Sequence, residues 1–194
     1  RNESILFATK SPKTYPHNSF ISEMIAIEAK KNNIDFTVRI HPLAITQKFI
    51  NESDKILKLS KKYGFKVLLP NIDSNKNLLN KDYDKIANDS FYESTLFISV
   101  FSTMNLESVN LGINTINIDF QDEERKDISP RMDIKYDRRQ VHNARALSYG
   151  CIRNVRSRTE LIVAIKDHLL SKKYSTDVKR EFFIQNECLP LYDK

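Results

Sequence analysis

The sequence contains little glycine, and this scarcity excludes two common kinds of nucleotide site. Three glycines occur among the 194 residues, and the patterns GxGxxG, GxxxxGKS and GxxxxGKT are all missing. These glycine-rich patterns hold the phosphates of dinucleotides and of nucleoside triphosphates. The usual NAD and ATP sites are therefore excluded, and a bound phosphate must be held by hydroxyl groups and helix ends instead.

Cysteine is equally scarce. Cys151 and Cys188 lie far apart, without a CxxC pair and without histidines at ligand spacing. Neither a zinc site nor a disulfide framework is predicted from this pattern. We expect two reduced thiols, as in a cytoplasmic protein, and no metal ion or other cofactor.

Long apolar runs and runs of one charge are also missing. No window approaches the roughly 18 consecutive apolar residues of a membrane helix, and the opening residues RNESILFATK do not form a signal peptide. The 31 Lys and Arg residues outnumber the 25 Asp and Glu residues and are spread along the chain. This spread argues against a nucleic-acid partner and suits a protein that binds phosphates. We expect a cytoplasmic protein, with the inner face of the membrane as a candidate contact surface.

The length and the first residues indicate one domain of a longer protein. A chain of 194 residues is ample for one domain with a real core. It does not begin with Met, and an apparent buried strand starts within its first few residues. We expect residues 1–170 to form a ligand-binding domain and residues 171–194 to form a linker and a final helix.

Short apolar runs alternate with longer stretches of helical periodicity. The predicted strands are Ser4–Thr9, Asp35–Ile40, Phe65–Leu69, Thr95–Val100, Thr115–Phe120 and Ile152–Val155. The predicted helices cover 18–31, 44–63, 83–88, 102–111, 137–148, 157–169 and 178–187. Asp137 is expected to cap the fifth helix, and Ser157 with Glu160 to form a capping box. The alternation predicts an α/β fold, a Rossmann-like parallel sheet of about six strands, apolar on both faces, with helices on both faces.

The fourth predicted strand is followed by the strongest group of candidate residues. Ligands bind at the carboxyl ends of the strands in an open α/β sheet. Ser102 and Thr103 lie there at the start of a helix, where two hydroxyls and unpaired N–H groups can hold a phosphate. Glu107 lies one turn further and can accept hydrogen bonds from a ribose diol. The alternative is structural: Ser102 only caps the helix and Glu107 is solvated.

Further candidates follow the first and second strands. His41 ends the second strand, is stiffened by Pro42, and can donate an N–H to a phosphate oxygen. Arg39, beside it, and Lys10, after the first strand, are additional candidates, with a solvated side chain as the alternative for Lys10. Phe101, like Tyr15, is placed where it could stack on a base.

Three segments together resemble a known group of enzymes. They are VRIHP (38–42), ISVFSTMNLESVNLGINTINIDF (98–120) and LSYGCIRNVRSRTELIVAIKDHLL (147–170). In this order they resemble the C-terminal half of GT-B type transferases that build bacterial surface polysaccharides. The most similar families are the CDP-glycerol glycerophosphotransferases and the capsule sialyl- and polysialyltransferases.

The resemblance implies one half of a GT-B fold, the half that binds a nucleotide-activated donor. It implies that His41 is the catalytic residue that contacts the donor phosphate, that Ser102 and Thr103 bind phosphates, and that Glu107 holds the nucleotide sugar. The implied partners are a nucleotide-activated sugar or glycerol, a polysaccharide acceptor and a missing N-terminal domain, without which the chain is inactive. A cytidine donor is favoured, and a uridine donor is the next choice.

Two other functions remain open from the sequence. One is half of a UDP-sugar 2-epimerase-like enzyme, whose fold also consists of two Rossmann-like halves. The other is a non-catalytic α/β module that binds a protein partner.

Overall fold

A computed structural model describes residues 3–70, 72–73, 78–79, 81–121, 134–171 and 177–188. Within these ranges, six parallel strands form one sheet in the order β3-β2-β1-β6-β7-β8, and a separate antiparallel pair joins β4 to β5. The strands are β1 (Ser4–Ala8), β2 (Asp35–Arg39), β3 (Lys66–Leu68), β4 (Ile72–Asp73), β5 (Leu78–Leu79), β6 (Leu96–Ser99), β7 (Asn114–Ile118) and β8 (Ile152–Val155). The predicted six-stranded parallel sheet is confirmed.

Helices cover both faces of this sheet. They are α1 (Asn18–Lys31), α2 (Ile50–Tyr63), α3 (Lys81–Glu93), α4 (Met104–Asn110), α5 (Ile134–Arg139), α6 (Val141–Ser148), α7 (Arg158–Ser171) and α8 (Asp177–Phe183). A 3₁₀ turn (Pro42–Ile45) precedes α2, and a π-helical turn (Ile184–Cys188) follows α8. Among the described residues, none of the helices combines the length and the apolar character that crossing a membrane requires.

The two faces of β1 pack into different parts of the core, because successive side chains of a strand point in opposite directions. Ile5 and Phe7 join a large cluster that includes Ile21 of α1 and Leu161 of α7. Leu6, on the opposite face, packs in a second cluster near α3 and α4. Both faces are buried, as expected for a strand between two layers of helices.

The strand order places a crevice beside β1. This strand pairs with β2 on one side and with β6 on the other, and all three strands run parallel. The chain therefore leaves β1 toward one edge of the sheet and later returns on its other side. In open α/β sheets such a reversal of strand order opens a ligand-binding crevice at the carboxyl ends of the strands.

Several predicted helices differ from those in the structure. The predicted helix 44–63 is a 3₁₀ turn followed by α2, and the predicted helix 102–111 shortens to α4. The predicted helix 137–148 is two helices, α5 and α6, separated at Gln140. Asp137 lies inside α5, so the expectation that it caps a helix is wrong. Most of the segment 121–136, between β7 and α5, lies outside the described residues.

The expectation that the strands are apolar on both faces is wrong for β7. Thr115 and Asn117 point to the same face, together with Asp119 just beyond the strand, and each side chain is at most 2% exposed. Ile116 and Ile118 point to the other face and are also buried. One face of β7 is therefore polar and buried, and it requires internal hydrogen-bond partners.

The final helix packs against the sheet domain. Phe183 of α8 is fully buried in a cluster with Val109, Ala146, Cys151 and Ile152. Cys151 has a free thiol whose pKa is raised by burial, whereas the side chain of Cys188 lies outside the described residues. The division of the chain near residue 170 stays a prediction.

Candidate functional site

Thr9 connects the ends of β1 and β2 through two hydrogen bonds. Its backbone N–H donates to the carbonyl of Arg39 at 3.0 Å, and its Oγ1 accepts a hydrogen bond from the backbone N–H of His41 at 2.8 Å. Thr9 is buried, so these bonds are shielded from water. The residues that follow the two strands, Lys10 and His41, are consequently held next to each other.

His41 has a defined orientation at this edge of the sheet. Its Nδ1 accepts a hydrogen bond from the backbone N–H of Leu43 at 3.1 Å, so Nε2 carries the proton of the neutral imidazole. The pKa of His41 is lowered, first by burial and second by the positive charge of Lys10. At neutral pH the side chain is therefore a neutral donor through Nε2–H, which matches the predicted contact with a phosphate oxygen.

Lys10 pairs with a residue from a distant part of the chain. Its Nζ lies 2.7 Å from Oδ2 of Asp137, and the two side chains are 14% and 23% exposed. Burial lowers the pKa of Lys10, while the hydrogen bond and charge of Asp137 oppose that shift. The alternative of a solvated Lys10 is wrong, because the side chain reaches the crevice and is paired there.

Arg39 brings a second cation to the crevice. Its guanidinium contacts Sδ of Met104 at 3.8 Å, so the side chain extends from the end of β2 to the first residue of α4. The side chain is half-buried. Arg39 is therefore placed beside the connection that carries Ser102 and Thr103.

The turn between β6 and α4 has an unusual backbone. Phe101 adopts φ +42°, in the left-handed region that L-residues seldom occupy. Its N–H donates to Oδ1 of Asn117 at 2.8 Å. Ser102 is half-buried, its Oγ accepts the N–H of Met104 at 3.2 Å, and Thr103 is exposed. A hydroxyl that accepts one hydrogen bond can still donate its proton to a ligand.

Three other candidates occupy different environments. Glu107 is exposed on α4, and its contact with a nucleotide sugar stays a prediction. The ring of Phe101 is 8% exposed and offers little surface to a base. Tyr15 is 1% exposed and its hydroxyl donates to the carbonyl of Phe120, so the expectation that Tyr15 could stack on a base is wrong.

A chain of buried and partly buried side-chain hydrogen bonds begins at the turn. Ser99 Oγ donates to Asn105 Oδ1 at 2.7 Å, and Asn105 Nδ2 donates to Asn117 Oδ1 at 3.2 Å. Asn117 Nδ2 donates to Asn154 Oδ1 at 2.7 Å, and Asn154 Nδ2 donates to Asp119 Oδ2 at 2.9 Å. Ser99, Asn117 and Asn154 are register partners on three adjacent strands. The sequence analysis did not predict this series of hydrogen bonds, although polar residues alternate with isoleucines in the segment TINID (115–119).

Asp119 ends the chain in an ion-pair group. Its carboxylate accepts two hydrogen bonds from Nε of Arg138, at 2.9 and 3.0 Å, and a second guanidinium nitrogen of Arg138 lies 2.8 Å away. Nε of Arg156 lies 3.7 Å from the same carboxylate. Because Asp137 and Arg138 are neighbours in α5, this short helix contacts both Lys10 and Asp119. It therefore lies across the carboxyl ends of β1 and β7.

Two other helix starts have partners within the domain. The N–H of Ser19 in α1 donates to Oε1 of Glu52 at 2.8 Å. The N–H of Glu160 donates to Oγ of Ser157 at 3.1 Å, as in the predicted capping box, but Oε2 of Glu160 accepts the N–H of Arg156 and not that of Ser157, so the reciprocal bond differs from the prediction. In dinucleotide-binding folds the pyrophosphate lies at the start of the helix after the first strand. A carboxylate, that of Glu52, occupies that position here.

In the part of the chain that the structure describes, two large cavities lie away from these residues. The cavity beside Ser102 and His142 holds about 10 Å³, too little for a nucleotide. Two larger hollows, of about 660 and 700 Å³, lie near Tyr63 and Gly64 at the amino ends of β1 and β2. The candidate site is therefore identified by the placement of Lys10, Arg39 and His41 at the ends of β1 and β2, and not by a cavity. Among the described residues, no group of three or more His, Cys, Asp or Glu side chains could hold a metal ion.

The sequence matches no family model and no curated protein. Similar solved structures include the UDP-GlcNAc 2-epimerase of Neisseria meningitidis bound to UDP-GlcNAc, with a TM-score of 0.55 and 12% identity. A protein of Listeria monocytogenes described as a UDP-N-acetylglucosamine 2-epimerase has the same TM-score and identity, and in both cases 94% of this chain and 39% of the other are covered. The catalytic domain of the cholesterol-α-glucosyltransferase of Helicobacter pylori has a TM-score of 0.49 and 15% identity, with 94% of each chain covered.

These likenesses concern the fold. The chain has the Rossmann-like α/β fold of one half of a GT-B type structure, which confirms the predicted fold class. It spans 39% of the length of the two epimerases. At 12% identity the likeness does not extend to activity or substrate.

Proposed function

We propose that the chain is the donor-binding domain of a transferase that uses a nucleotide-activated sugar or glycerol. The observation that carries the proposal is the position of Lys10, Arg39 and His41 at the ends of β1 and β2, with Arg39 in contact with Met104, the residue after Ser102 and Thr103. Two cations, a neutral imidazole donor and a hydroxyl suit the phosphates of a nucleotide donor. Their position at the carboxyl ends of parallel strands is the usual place for such a ligand.

In this proposal the crevice stabilises the leaving nucleotide. When the bond from the sugar or glycerol to the donor phosphate breaks, negative charge develops on the phosphate oxygens. Lys10 and Arg39 supply positive charge, and His41 donates through Nε2–H, in a half-buried site where such interactions are strong. Ser102 and Thr103 bind the same phosphates, and Glu107 accepts hydrogen bonds from the ribose hydroxyls. Charge neutralisation by these groups takes the place of a metal ion.

The finer parts of the proposal rest on the resemblance of the sequence segments. They are a cytidine donor, with uridine as the next choice, a polysaccharide acceptor and a role in building a bacterial surface polysaccharide. A second domain, facing the crevice, supplies the remainder of the active site. The enzyme works in the cytoplasm or at the inner face of the membrane.

Calorimetric titration of the chain with CMP, CDP, UMP and UDP tests this proposal. We expect His41→Ala and Ser102→Ala to weaken binding of the preferred nucleotide severalfold or more. Ser148→Ala is the matched control, because its hydroxyl also bonds locally to the backbone but lies at the end of α6, before β8. Unchanged affinity in both His41→Ala and Ser102→Ala contradicts the site.

A UDP-sugar 2-epimerase-like enzyme is the second candidate function. The observation in its favour is the likeness to two epimerase structures, one of them bound to UDP-GlcNAc. Incubation of the intact protein with a UDP-sugar and no acceptor separates the two candidates, because only an epimerase converts the sugar. If the chain is instead a non-catalytic module, none of the four nucleotides raises its melting temperature, whereas any ligand of the native state must raise it.

A further inference from the structure

Asn117, in the middle of β7, contacts the turn that carries Ser102 and Thr103. Its side chain is fully buried, and its Oδ1 accepts the backbone N–H of Phe101 at 2.8 Å. We propose that Asn117 is a positioning residue that fixes this turn for donor binding. The inference rests on the proposed function, because it assigns to the turn the role of holding the donor phosphate.

The turn needs an anchor outside its own residues. Phe101 has φ +42°, a conformation in which Cβ of an L-residue crowds the backbone. Such a conformation persists only when the surrounding structure holds it in place. Burial of the Phe101 ring fixes one side, and the hydrogen bond to Asn117 holds the backbone itself. Without Oδ1 of Asn117, this buried N–H loses its acceptor.

The orientation of the Asn117 amide is set from the far end of the hydrogen-bond chain. An ionised carboxylate only accepts hydrogen bonds, so Asp119 requires Asn154 to present its Nδ2. The Oδ1 of Asn154 then faces Asn117, which must donate to it through Nδ2. This leaves Oδ1 of Asn117 to face the N–H of Phe101.

The same series of hydrogen bonds connects the two sides of the proposed site. Asp119 is held by Arg138, and the adjacent Asp137 holds Lys10. The turn beside Ser102 and the ammonium of Lys10 are thus fixed by neighbouring residues of α5. A disturbance at Asn117 is expected to reach the turn first, because the hydrogen bond to Phe101 is direct.

The test compares Asn117→Leu with Thr115→Val. Leucine resembles asparagine in size but has no acceptor for Phe101. Thr115 is buried on the same face of the same strand and bonds to Ser108, so its replacement removes a buried hydrogen bond away from the turn. We expect Asn117→Leu to weaken binding of the preferred nucleotide about tenfold, which corresponds to about 1.4 kcal/mol, and Thr115→Val to weaken it less than twofold.

Amide hydrogen exchange gives a readout that does not depend on nucleotide. We expect the hydrogen-bonded amides of Phe101 and Met104 in the turn to exchange faster in Asn117→Leu and to stay unchanged in Thr115→Val. If Asn117→Leu does not fold, Asn154→Ala serves in its place, because it leaves the anchor but removes the group that orients it. That variant is expected to show a smaller change at the same amides.

The outcomes separate the inference from the proposed function. Equal affinity in Asn117→Leu and the unsubstituted protein, with unchanged exchange at the turn, overturns the positioning role while the donor site stands. Faster exchange at the turn in a protein that binds none of the four nucleotides supports the anchor and overturns the proposed function. Equal losses in Asn117→Leu and Thr115→Val count against a positioning role.

Discussion

Nζ of Lys10 lies 2.7 Å from Oδ2 of Asp137, so a residue that follows the first strand is paired with one on the short helix α5. Both side chains are largely buried, and Lys10 lies close enough to His41 that its positive charge, after burial, lowers the pKa of His41. A phosphate that binds Lys10 must share it with a carboxylate. Asp137 therefore holds Lys10 in place and also opposes the binding of an anion.

Replacement of either partner of this pair has a distinct effect on binding. Lys10→Met is expected to weaken nucleotide binding about tenfold or more, since a hydrogen bond to a charged group contributes about 1.5–3 kcal/mol. Asp137→Asn is expected to leave the affinity unchanged or higher, because it removes a negative charge next to the phosphate. Calorimetric titration at low and moderate salt measures both. An equal loss of affinity in the two variants would show that the pair acts only as a structural contact.

The lowered pKa of His41 makes the stability of the protein depend on pH. The unfolded chain binds a proton at the ordinary histidine pKa of about 6.5, and the native protein binds it only at lower pH. Between these two values the unfolded chain carries more protons, so the free energy of unfolding falls as the pH decreases through this window. Urea unfolding of His41→Asn between pH 5 and 8 should show a weaker dependence of the free energy of unfolding on pH. His142→Asn, at an exposed position, is the control and should keep the dependence of the unsubstituted protein.

Asp119 is expected to contribute far more to stability than a surface carboxylate. Its side chain is 1% exposed and bonds to Arg138 and Asn154, so Asp119→Ala removes the acceptor of the half-buried Asn154 amide and of Arg138, whose side chain is 44% exposed. We expect a loss of about 1–3 kcal/mol in the free energy of unfolding. Asp167→Ala, which breaks the half-exposed pair with Arg153, should cost about 0–1 kcal/mol. Similar losses in the two variants would contradict a structural role for the hydrogen-bond chain.

Two adjacent phenylalanines test whether α8 belongs to the folded domain. Phe183 is fully buried, and Phe183→Ala is expected to cost about 3–5 kcal/mol of unfolding free energy through the cavity it leaves. Phe182, on the same helix, is 60% exposed, and its replacement by alanine is expected to cost about 1 kcal/mol or less. Thermal unfolding of both variants measures the difference. A small effect of Phe183→Ala would indicate that α8 is only loosely attached.

The sequence predicts the strands well because local signals bound them. Each of the six sheet strands is a short segment that contains buried apolar residues, and Pro70, Gly64 and Gly112 lie near the ends of strands or helices. The prediction of one helix over 137–148 is wrong because the position of α5 depends on distant residues. Distant partners hold α5, since Asp137 bonds to Lys10 and Arg138 bonds to Asp119, and a local helical pattern carries no information about them.

The candidate site was predictable in part. The positions of Lys10, His41 and Ser102 after their strands follow from the pattern of apolar runs. Their contacts do not, because Thr9, Asp137 and Asn117, which hold them, come from distant parts of the sequence. The alternation of polar residues in β7 was visible, but its meaning depends on the partners that the neighbouring strands supply.

The position of β1 inside the sheet has a consequence for how the protein folds. Ile5 pairs in register with Phe36 on one side and with Leu96 on the other, so one neighbour is close in sequence and the other is distant. Pairings of long sequence separation form slowly, because a large loop must close before they contribute stability. During synthesis, one edge of β1 therefore remains open until Leu96–Ser99 has left the ribosome, and an open apolar edge promotes aggregation. Because of this strand order, a pairing in the middle of the sheet, that of β1 with β6, forms late in folding.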